Sequence, residues 1–577
     1  MAPSIVHLPN GQTLTVTPVF GGIQFKSNDL STHHNVFPPG WTIILHSEDE
    51  EDEHVPKPST AAHTHPDLDA TPRPAEQQTI RHHVHRYRRP TLRNDHLFFS
   101  SISNPSSTDF RPASSPTRQI AMMLWATLWW YFHQPTPSPY LTTPASAQTP
   151  EEGRPKGEWR VNINREGIFK GKHTLPKLER MGLIASEDST VGIDPDDGVR
   201  STGEGWSKMF ISQRSFWQLD ARIYLFTLPP AQATSPYPSV SPAVSRAASP
   251  NRNSAILDTA PGAMSHALNR TSTPPGPFTS GSHLPTFYPP PPLQYTFTNG
   301  IRHPIRPKPP RQGETIYTRY VPSLGQWLSF RVASLSPRPV PHRGPTSVSE
   351  PTAPFGPSTR DSLRAGTPSS SDCSILTVKG LSLQQQQDHG QQQQQSSEPP
   401  APDTLTLTDA ELLHKWMNDP RVAHSWGEAG PLAHQEHFLR HALTRPHSFP
   451  VIGCFDGQPF GFFEIYWVPE DRLAAHMAGG AGAGGEGDWC RGLHVLVGEQ
   501  AFRGPQRVKV WLSALVHYCW LADSRTGVVV MEPRVDNEKL RRYCEGVGFY
   551  REREVAFAHK QSNLMKIRRE AWERPEL

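Results

Sequence analysis

The chain has 577 residues, which is enough for two domains and long additional segments. Its formal net charge is only +3, so the sequence lacks the overall positive charge that is typical of nucleic-acid-binding proteins. It contains 62 prolines and 35% hydrophobic residues, which predicts that much of the length is loop or disordered chain.

Cysteine usage and hydropathy indicate the cellular compartment. The five cysteines have no C-x-x-C spacing, which favours a reducing compartment: Cys373, Cys454, Cys490, Cys519 and Cys544. No secretory signal opens the chain, and the most apolar run, residues 119–132, is too short to span a bilayer. We expect a cytoplasmic protein that does not bind a membrane. A peroxisomal location stays open, although residues 575–577 differ from the Ser-Lys-Leu signal.

The first 45 residues have the alternating pattern of short strands. Strands are predicted at residues 4–8, 13–16 and 41–45, and Asn10-Gly11 is a good hairpin turn. An acidic, histidine-rich spacer follows, from about residue 46 to residue 85. Two of its motifs have metal-ligand character: His63-Thr64-His65 and His82-His83-Val84-His85. A solvated, disordered insertion is the favoured interpretation, and no metal is predicted.

Residues 120–132 are predicted to form a buried helix, in which core packing is a better role for the tryptophans than ligand stacking. Residues 157–172 have strand character, and a short helix at residues 175–184 ends at Gly182. This helix beside basic strands has two interpretations. One is part of a smaller α+β N-terminal domain, and the other is a winged-helix nucleic-acid module.

The middle of the chain alternates between strand patterns and low-complexity sequence. Residues 217–228 look like a strand pair, whereas residues 229–313 are rich in Pro, Ser and Thr and predict a disordered insertion. Strands at residues 317–322 and 327–332 then complete the first domain, 1–335. Residues 336–402, with two glutamine tracts, predict a disordered linker.

The second predicted domain covers residues 403–577. It opens with a capped amphipathic helix at residues 408–417. A hairpin follows, with strands at residues 448–455 and 459–467 around Asp456-Gly457. The glycine-rich run at residues 479–487 fits a hairpin tip better than a phosphate loop.

The stretch from Trp489 to Phe549 carries the strongest functional pattern. A strand at residues 493–497 is followed by a polar loop with Arg503, Gly504 and Arg507, and then by a helix with an apolar stripe. A glycine allows close backbone approach, and the free amides of a helix start favour an anion. The order strand, basic loop and helix therefore predicts a phosphate-binding site.

A second strand and helix follow this loop. Residues 527–531 form a buried-type strand that ends at Glu532-Pro533-Arg534. Asp536 or Asn537 then caps a helix that stops at Gly548.

This arrangement resembles the acyl-CoA-binding core of GNAT-type N-acyltransferases. Three motifs resemble, more narrowly, the fungal hydroxyornithine acyltransferases of siderophore biosynthesis: Trp489 with Gly492 to Gly498, Glu532 to Asn537, and Phe557 to Lys560 with Leu564-Met565. The resemblance implies an α/β fold with a mixed β-sheet in residues 403–577. It implies an acyl-CoA co-substrate, hydroxyornithine as acceptor and a hydroxamate product for iron acquisition. A homo-oligomer is compatible with the sequence.

The resemblance also implies roles for individual residues. His494, on the strand that lines the acyl end of CoA, is the candidate general base, with Glu532 or Asp536 to orient it or to bind the acceptor's α-ammonium. The candidate CoA contacts are Arg503, Gly504, Gln506, Arg507, Val508 and Asn537. The candidate acceptor and acyl contacts are Glu464, Tyr466 and Trp467.

Each of these roles has a structural alternative. A single histidine on a strand is more often structural than catalytic, and Asp536 and Asn537 are both suited to capping the next helix. Pro505 removes one amide donor from the loop. A non-catalytic binding protein, either GNAT-like or winged-helix, is therefore the alternative to an acyltransferase.

Overall fold

A computed structural model describes residues 3–28, 37–50, 82–103, 116–186, 209–225, 278, 293–298, 300–347, 404–477 and 487–577. The strands are β1 (Ser4–His7), β2 (Thr13–Val19), β3 (Gly22–Ser27), β4 (Gly40–Glu50), β5 (His82–Arg86), β6 (Asp95–Ser103), β7 (Arg160–Ile163), β8 (Ala185–Ser186), β9 (Met209–Ser212), β10 (Tyr295–Thr298), β11 (Ile301–Pro304), β12 (Thr315–Val321), β13 (Gln326–Val332), β14 (Ser448–Phe455), β15 (Gln458–Trp467), β16 (Arg491–Val497), β17 (Val528–Met531), β18 (Tyr550–Ala556) and β19 (Gln561–Arg568). The α-helices are α1 (Pro116–Phe132), α2 (Thr174–Arg180), α3 (Gln213–Trp217), α4 (Ala221–Leu225), α5 (Asp409–Met417), α6 (Pro420–Trp426), α7 (Leu432–Thr444), α8 (Pro505–Ala522) and α9 (Glu538–Val547).

Two mixed sheets of the same topology dominate the described part of the chain. The first has the order β1-β2-β3-β4-β6-β7-β9-β8, and the second has the order β12-β13-β14-β15-β16-β17-β19-β18. In each sheet the first five strands are antiparallel, the sixth runs parallel to the fifth, and the last two are antiparallel again. A long helix, α1 or α8, joins the parallel pair, as a parallel connection requires. The chain therefore contains one α/β arrangement twice.

The two repeats pack against each other through an aromatic core. The tryptophans of α1 are buried in a cluster that also contains residues of α8, which confirms their predicted core role. His517 on α8 lies 2.7 Å from the carbonyl oxygen of Trp217 and 2.9 Å from the Tyr317 hydroxyl. Burial lowers the pKa of His517 to about 3, so the ring is neutral. Its one N–H donates to the carbonyl, and its second nitrogen accepts from Tyr317.

The structure confirms the predicted mixed α/β class and most of the predicted elements. Thr408 and Glu411 form a reciprocal capping box at the start of α5. The hairpin of β14 and β15 turns at Asp456-Gly457, where both residues have positive φ. Gly182, with φ of 73°, follows α2 as predicted. None of the helices in the described ranges is long and apolar enough to cross a membrane.

Several predicted elements differ in the structure. Strands β12 and β13 were expected to complete the first domain. They belong to the second sheet instead, because β12 pairs with β13 and β13 pairs with β14. The alternating pattern identifies a strand but not its partner. Residues 217–225 of the predicted strand pair lie in the helical segment α3–α4, because Ser212 caps α3 and Asp220 binds the backbone and guanidinium of Arg222. Residues 226–228 lie outside the described residues.

The low-complexity segments also differ in part from the prediction. Residues 293–298 and 300–313, expected within a disordered insertion, include the β10–β11 hairpin. Arg306 fixes this segment to the second sheet through two hydrogen bonds to Glu470, of 2.7 and 2.9 Å. In the spacer, residues 46–50 end β4 and residues 82–85 belong to β5, which pairs with β4, so the predicted disorder is wrong there. Residues 336–347 of the predicted linker are also described. The rest of the predicted insertion and linker sequence, at 51–81, 229–277, 279–292, 299 and 348–402, lies outside the described residues, as does most of the glycine-rich run, at 479–486. The winged-helix interpretation is wrong, because β7 and β8, which flank α2 in the chain, are strands of the first mixed sheet.

A buried ion pair joins strand β13 of the second sheet to helix α5. Arg331 donates to both carboxylate oxygens of Asp409, at 2.7 and 2.6 Å, and both side chains are buried. Asp409 also accepts a hydrogen bond from the Ser334 amide. The pair therefore depends on residues from both sides of the long linker.

Replacing Asp409 by Asn should lower the free energy of unfolding by about 3–5 kcal/mol, because Arg331 would stay buried without an opposite charge. Denaturant titration of the full chain measures this change. The matched control is Glu545→Gln, which breaks a surface pair with Arg541 and should cost about 0.5 kcal/mol or less. Equal effects of the two substitutions would contradict the assignment.

Candidate active site

The parallel strands β16 and β17 separate beside His494. They pair only at Arg491–Val529 and Gly492–Val530, and β16 then continues to Val497 without a partner on that side. The central strands of the second sheet are therefore splayed near His494. The opening leaves room for a ligand between the strands, next to the backbone of β16.

Three ionisable side chains meet at the start of this opening. His494 lies directly opposite Glu464 in the β15–β16 ladder, so their side chains share one face of the sheet. Its Nδ1 is 2.9 Å from Oε2 of Glu464, and its Nε2 is 2.7 Å from Oε1 of Glu532, which directly follows β17. The imidazole therefore bridges two carboxylates.

Further polar groups hold these carboxylates. The Ser448 hydroxyl donates to Glu464 at 3.0 Å, and Arg445 contacts the same oxygen at 3.3 Å. The Tyr466 hydroxyl donates to Oε2 of Glu532 at 3.0 Å. The Lys560 ammonium lies 3.6 Å from the other oxygen of Glu532. Each carboxylate thus has a neutral hydroxyl donor and a nearby cation in addition to His494.

The charges of this cluster determine its protonation. Burial lowers the pKa of His494, but the charge of Glu532 and the hydrogen bonds to both carboxylates outweigh burial and raise the pKa to about 10. Burial raises the pKa of Glu532, but the His494 charge and hydrogen bond outweigh it and lower the pKa to about 2. The Glu464 pKa is also lowered, because the His494 hydrogen bond outweighs burial. At neutral pH the cluster is an imidazolium between two carboxylates.

Two of the predicted site residues lie away from this cluster. Asp536 is surface exposed and forms a bidentate pair with Arg534, at 3.0 and 2.6 Å. Its predicted contact with His494 is made by Glu532 instead. Trp467 is one residue beyond Tyr466, so it points to the opposite face of β15, where the guanidinium of Arg491 stacks on its ring.

A cleft beside the opening contains most of the predicted CoA contacts. Its lining includes Arg503, Gly504, Val508 and Asn537. It lies between β16, the start of α8 and the start of α9. Asn537 also caps α9, because its side chain accepts from the Leu540 amide at 3.1 Å. Both roles considered for Asn537 are therefore compatible with its position.

The start of α8 offers fewer free amides than predicted. The Val508 amide already donates to the Gly504 carbonyl at 3.0 Å. Within the described part of the chain, the amides of Gln506 and Arg507 have no such acceptor, and Gly504 has a φ of 135°. The Arg507 side chain points away from the cleft. It donates a hydrogen bond to Gln326 and stacks on the Phe455 ring. Arg503 is the predicted arginine whose side chain lines the cleft.

Comparison with known proteins establishes the family. Residues 406–557 match the model of the acetyltransferase (GNAT) domain family. The chain is 44% identical to the N5-hydroxyornithine acetylase sidL of Beauveria bassiana, over 97% of this chain and 100% of that protein. The chain belongs to the N5-hydroxyornithine acyltransferase family. It is a GNAT-type acyltransferase, as the sequence motifs predicted.

Other known proteins match a smaller share of the chain. The N(6)-hydroxylysine O-acetyltransferase of Escherichia coli is 43% identical over 28% of this chain and 48% of that protein. The Beauveria bassiana transacylase SIDF, which acts with cis-anhydromevalonyl coenzyme A, is 41% identical over 28% of this chain and 35% of that protein. The crystal structure of aminoglycoside acetyltransferase AAC(6')-Ib with coenzyme A is 23% identical over 28% of this chain and 91% of that chain, with a TM-score of 0.25.

Sequence reasoning missed several side chains of this acyltransferase site. Arg445 precedes β14 and Ser448 opens it. Their contact with Glu464 depends on the register of the β14–β15 hairpin, which the sequence does not show. Lys560 was part of a motif without an assigned role, and it lies against Glu532. Lys539 and Tyr543 line the cleft from α9. Lys539 and Tyr543 are four residues apart, which places them on the same face of the predicted helix, and this spacing could have identified them.

In the acyltransferase without ligands, the His494 imidazolium should titrate near pH 10, and Glu532→Gln should lower this pKa toward the ordinary value of about 6.5. Imidazole NMR of selectively labelled histidines measures both values. The stability that this shift contributes is fully present below about pH 6.5 and is lost as the pH rises through about 10. Glu545→Gln is the control and should leave the His494 titration unchanged.

Proposed function

We propose that this protein transfers an acetyl group from acetyl-CoA to the N5 hydroxylamine nitrogen of hydroxyornithine, which forms a hydroxamate for siderophore synthesis. The observation that carries the proposal is the Glu464–His494–Glu532 cluster at the splay, on the strand β16 that also lines the cleft with Arg503 and Gly504. The full-length similarity to a hydroxyornithine acetylase supports both the acceptor and the acyl group. The match to the anhydromevalonyl transacylase covers only 28% of this chain.

The cleft suits the phosphates of the acyl-CoA donor. Two amides at the start of α8, from Gln506 and Arg507, lie at the positive end of the helix dipole and can donate to an anion. Arg503 and Lys539 add positive charge to the lining, and the Trp511 and Tyr543 rings add apolar surface. With the phosphates held here, the pantetheine arm follows β16 into the splay and brings the thioester to His494.

The protonation of the cluster defines its chemistry. A hydroxylamine is only weakly basic, so its nitrogen is neutral at cellular pH and its proton becomes acidic only as the N–C bond forms. At neutral pH His494 already carries two protons and cannot accept a third. We therefore assign proton acceptance to the Glu532 carboxylate, rather than to a neutral His494 as the sequence suggested.

Charge coupling then supplies the proton that the leaving group needs. The charge of Glu532 is the main factor that raises the His494 pKa. When Glu532 takes the proton from the acceptor nitrogen, this charge disappears and the His494 pKa falls, so the imidazolium becomes a stronger acid. His494 can then protonate the departing CoA thiolate. One proton enters the cluster and one leaves it, while the N–C bond forms and the C–S bond breaks.

His494→Ala should lower kcat by about 10²–10⁴, at the low end of this range, and leave acyl-CoA binding nearly unchanged, because the side chain acts only on protons that move in the transition state. Steady-state kinetics and equilibrium binding of acetyl-CoA measure the two effects. Near wild-type kcat in a folded variant would show that His494 is structural.

The pH dependence of kcat distinguishes the two possible bases. With Glu532 as base, kcat at saturating substrate should be flat between about pH 6 and 9, above the Glu532 pKa of about 2 and below the His494 pKa of about 10. If neutral His494 were the base, kcat would rise about tenfold per pH unit across this range. A rise of that size would overturn the assignment.

Arg503→Ala should raise the acyl-CoA KM more than it lowers kcat, because the ground state and the transition state share the phosphate contact. Arg507→Ala is the matched control: its side chain contacts Gln326 and Phe455 outside the cleft, so KM should change little. Equal KM values for the Arg503 variant and the wild type would exclude this side chain as a phosphate contact.

A further inference from the structure

The first repeat has its own polar cluster at the corresponding junction of its sheet. In the second repeat, Glu464 and His494 face each other across β15 and β16, next to β17. In the first repeat, His46 and His96 face each other across β4 and β6, next to β7. The same topology therefore places a different set of side chains at the junction where the parallel strand begins.

Three donor atoms converge at the junction of the first repeat. His46 Nε2 is 3.0 Å from Oε1 of Glu48, and His96 Nε2 is 3.5 Å from Oε2 of the same carboxylate. All three ligand atoms lie within 4.8 Å of one another. Two ligands at 2.0–2.1 Å from a tetrahedral zinc ion are roughly 3.3 Å apart, so both measured distances are close to those of a formed site.

Hydrogen bonds orient one imidazole for metal binding. His96 Nδ1 lies 2.9 Å from Oδ1 of Asn164, so Nδ1 carries the hydrogen and donates it to the amide. The Asn162 amide nitrogen lies 3.3 Å from Nε2, which fits an unprotonated Nε2 that accepts. A metal-binding histidine usually donates from its other ring nitrogen to a hydrogen-bond acceptor of the protein.

The Asn162 contact is long, at 3.3 Å, and an unprotonated Nε2 gives no hydrogen bond to the Glu48 oxygen at 3.5 Å. A cation between Nε2 and this carboxylate would bind both. The three side chains are 15–24% exposed, so an ion can reach them from solvent. Two imidazoles and one carboxylate match the donor set of three-ligand zinc sites, in which water takes the fourth position.

We propose that His46, Glu48 and His96 bind a zinc ion that ties β4 to β6 in the first repeat. The ion is separate from the acyl-transfer centre, whose ionisable groups come from β15, β16 and the end of β17. Strand β4 continues into the sequence at 51–81, so the ion fixes the sheet where this long connection leaves it. The site differs from the two histidine motifs of the spacer, His63-Thr64-His65 and His82-His83-Val84-His85.

Isothermal titration of the metal-stripped, untagged full chain with ZnCl₂ tests this proposal. We expect one zinc ion per chain, and Glu48→Gln should weaken its binding by more than about 100-fold because a ligand is lost. Asn164→Ala should weaken it by about 10–100-fold, the range for an outer-shell partner. The double variant His63→Ala/His65→Ala is the control for the spacer and should bind zinc as tightly as the wild type.

The proposal is overturned if the wild type binds no zinc below about 10 μM, or if Glu48→Gln binds it as tightly as the wild type. It is also overturned if the spacer variant alone loses binding, since the spacer would then hold the ion. Cobalt substitution gives an independent reading on the wild type, whatever the folding of the variants. Visible d–d absorption of low-coordinate Co²⁺ is expected, and a spectrum of hexa-aquo Co²⁺ alone would contradict a three-ligand site.

Discussion

The imidazolium of His494 is the interaction on which the active site depends. It lets two largely buried carboxylates, Glu464 and Glu532, lie on either side of a strand opening without being protonated. Without the central positive charge, burial and mutual repulsion would raise both carboxylate pKa values. The bridge also spans the splay itself, since Glu464 belongs to β15 and Glu532 ends β17. Beyond the last backbone pair of β16 and β17, the ion pair of His494 and Glu532 still connects the two strands. The backbone edges of both strands stay available to a thioester.

The first repeat supports the sheet of the second repeat, which carries the His494 cluster. Each repeat has a helix that connects its parallel strands, and these helices, α1 and α8, contribute to one aromatic core. The neutral His517 links α3 of the first repeat and β12 of the second repeat to α8. Arg331 and Asp409 join chain segments on either side of the long linker. The sheet that carries the centre is therefore held from both sides by sequence far from its motifs.

Sequence patterns predicted the elements whose signal is local. The apolar stripe of α8, the capping box of α5 and the strand around His494 all lie where they were expected. Contacts between distant segments could not be predicted, because an alternating pattern does not identify the neighbouring strand. The choice between Glu532 and Asp536 shows the same limit. Both follow β17 closely, and only the turn geometry sends Asp536 to Arg534 at the surface. Alternation along β15 places Trp467 on the opposite face from Glu464, so the sequence alone could have excluded Trp467 from the acceptor site.

The protonation state was the least predictable property, because it arises from two carboxylates that meet only in three dimensions. A lone strand histidine has an ordinary pKa near 6.5 and would be a suitable base. Two carboxylate contacts raise the pKa of the same side chain to about 10, so that it keeps both ring protons at neutral pH. The consequence is a division of labour: the nucleophile's proton goes to a carboxylate, and the leaving group's proton comes from the imidazolium. Because each transfer lowers the cost of the other, neither partner has to be a strong acid or base on its own.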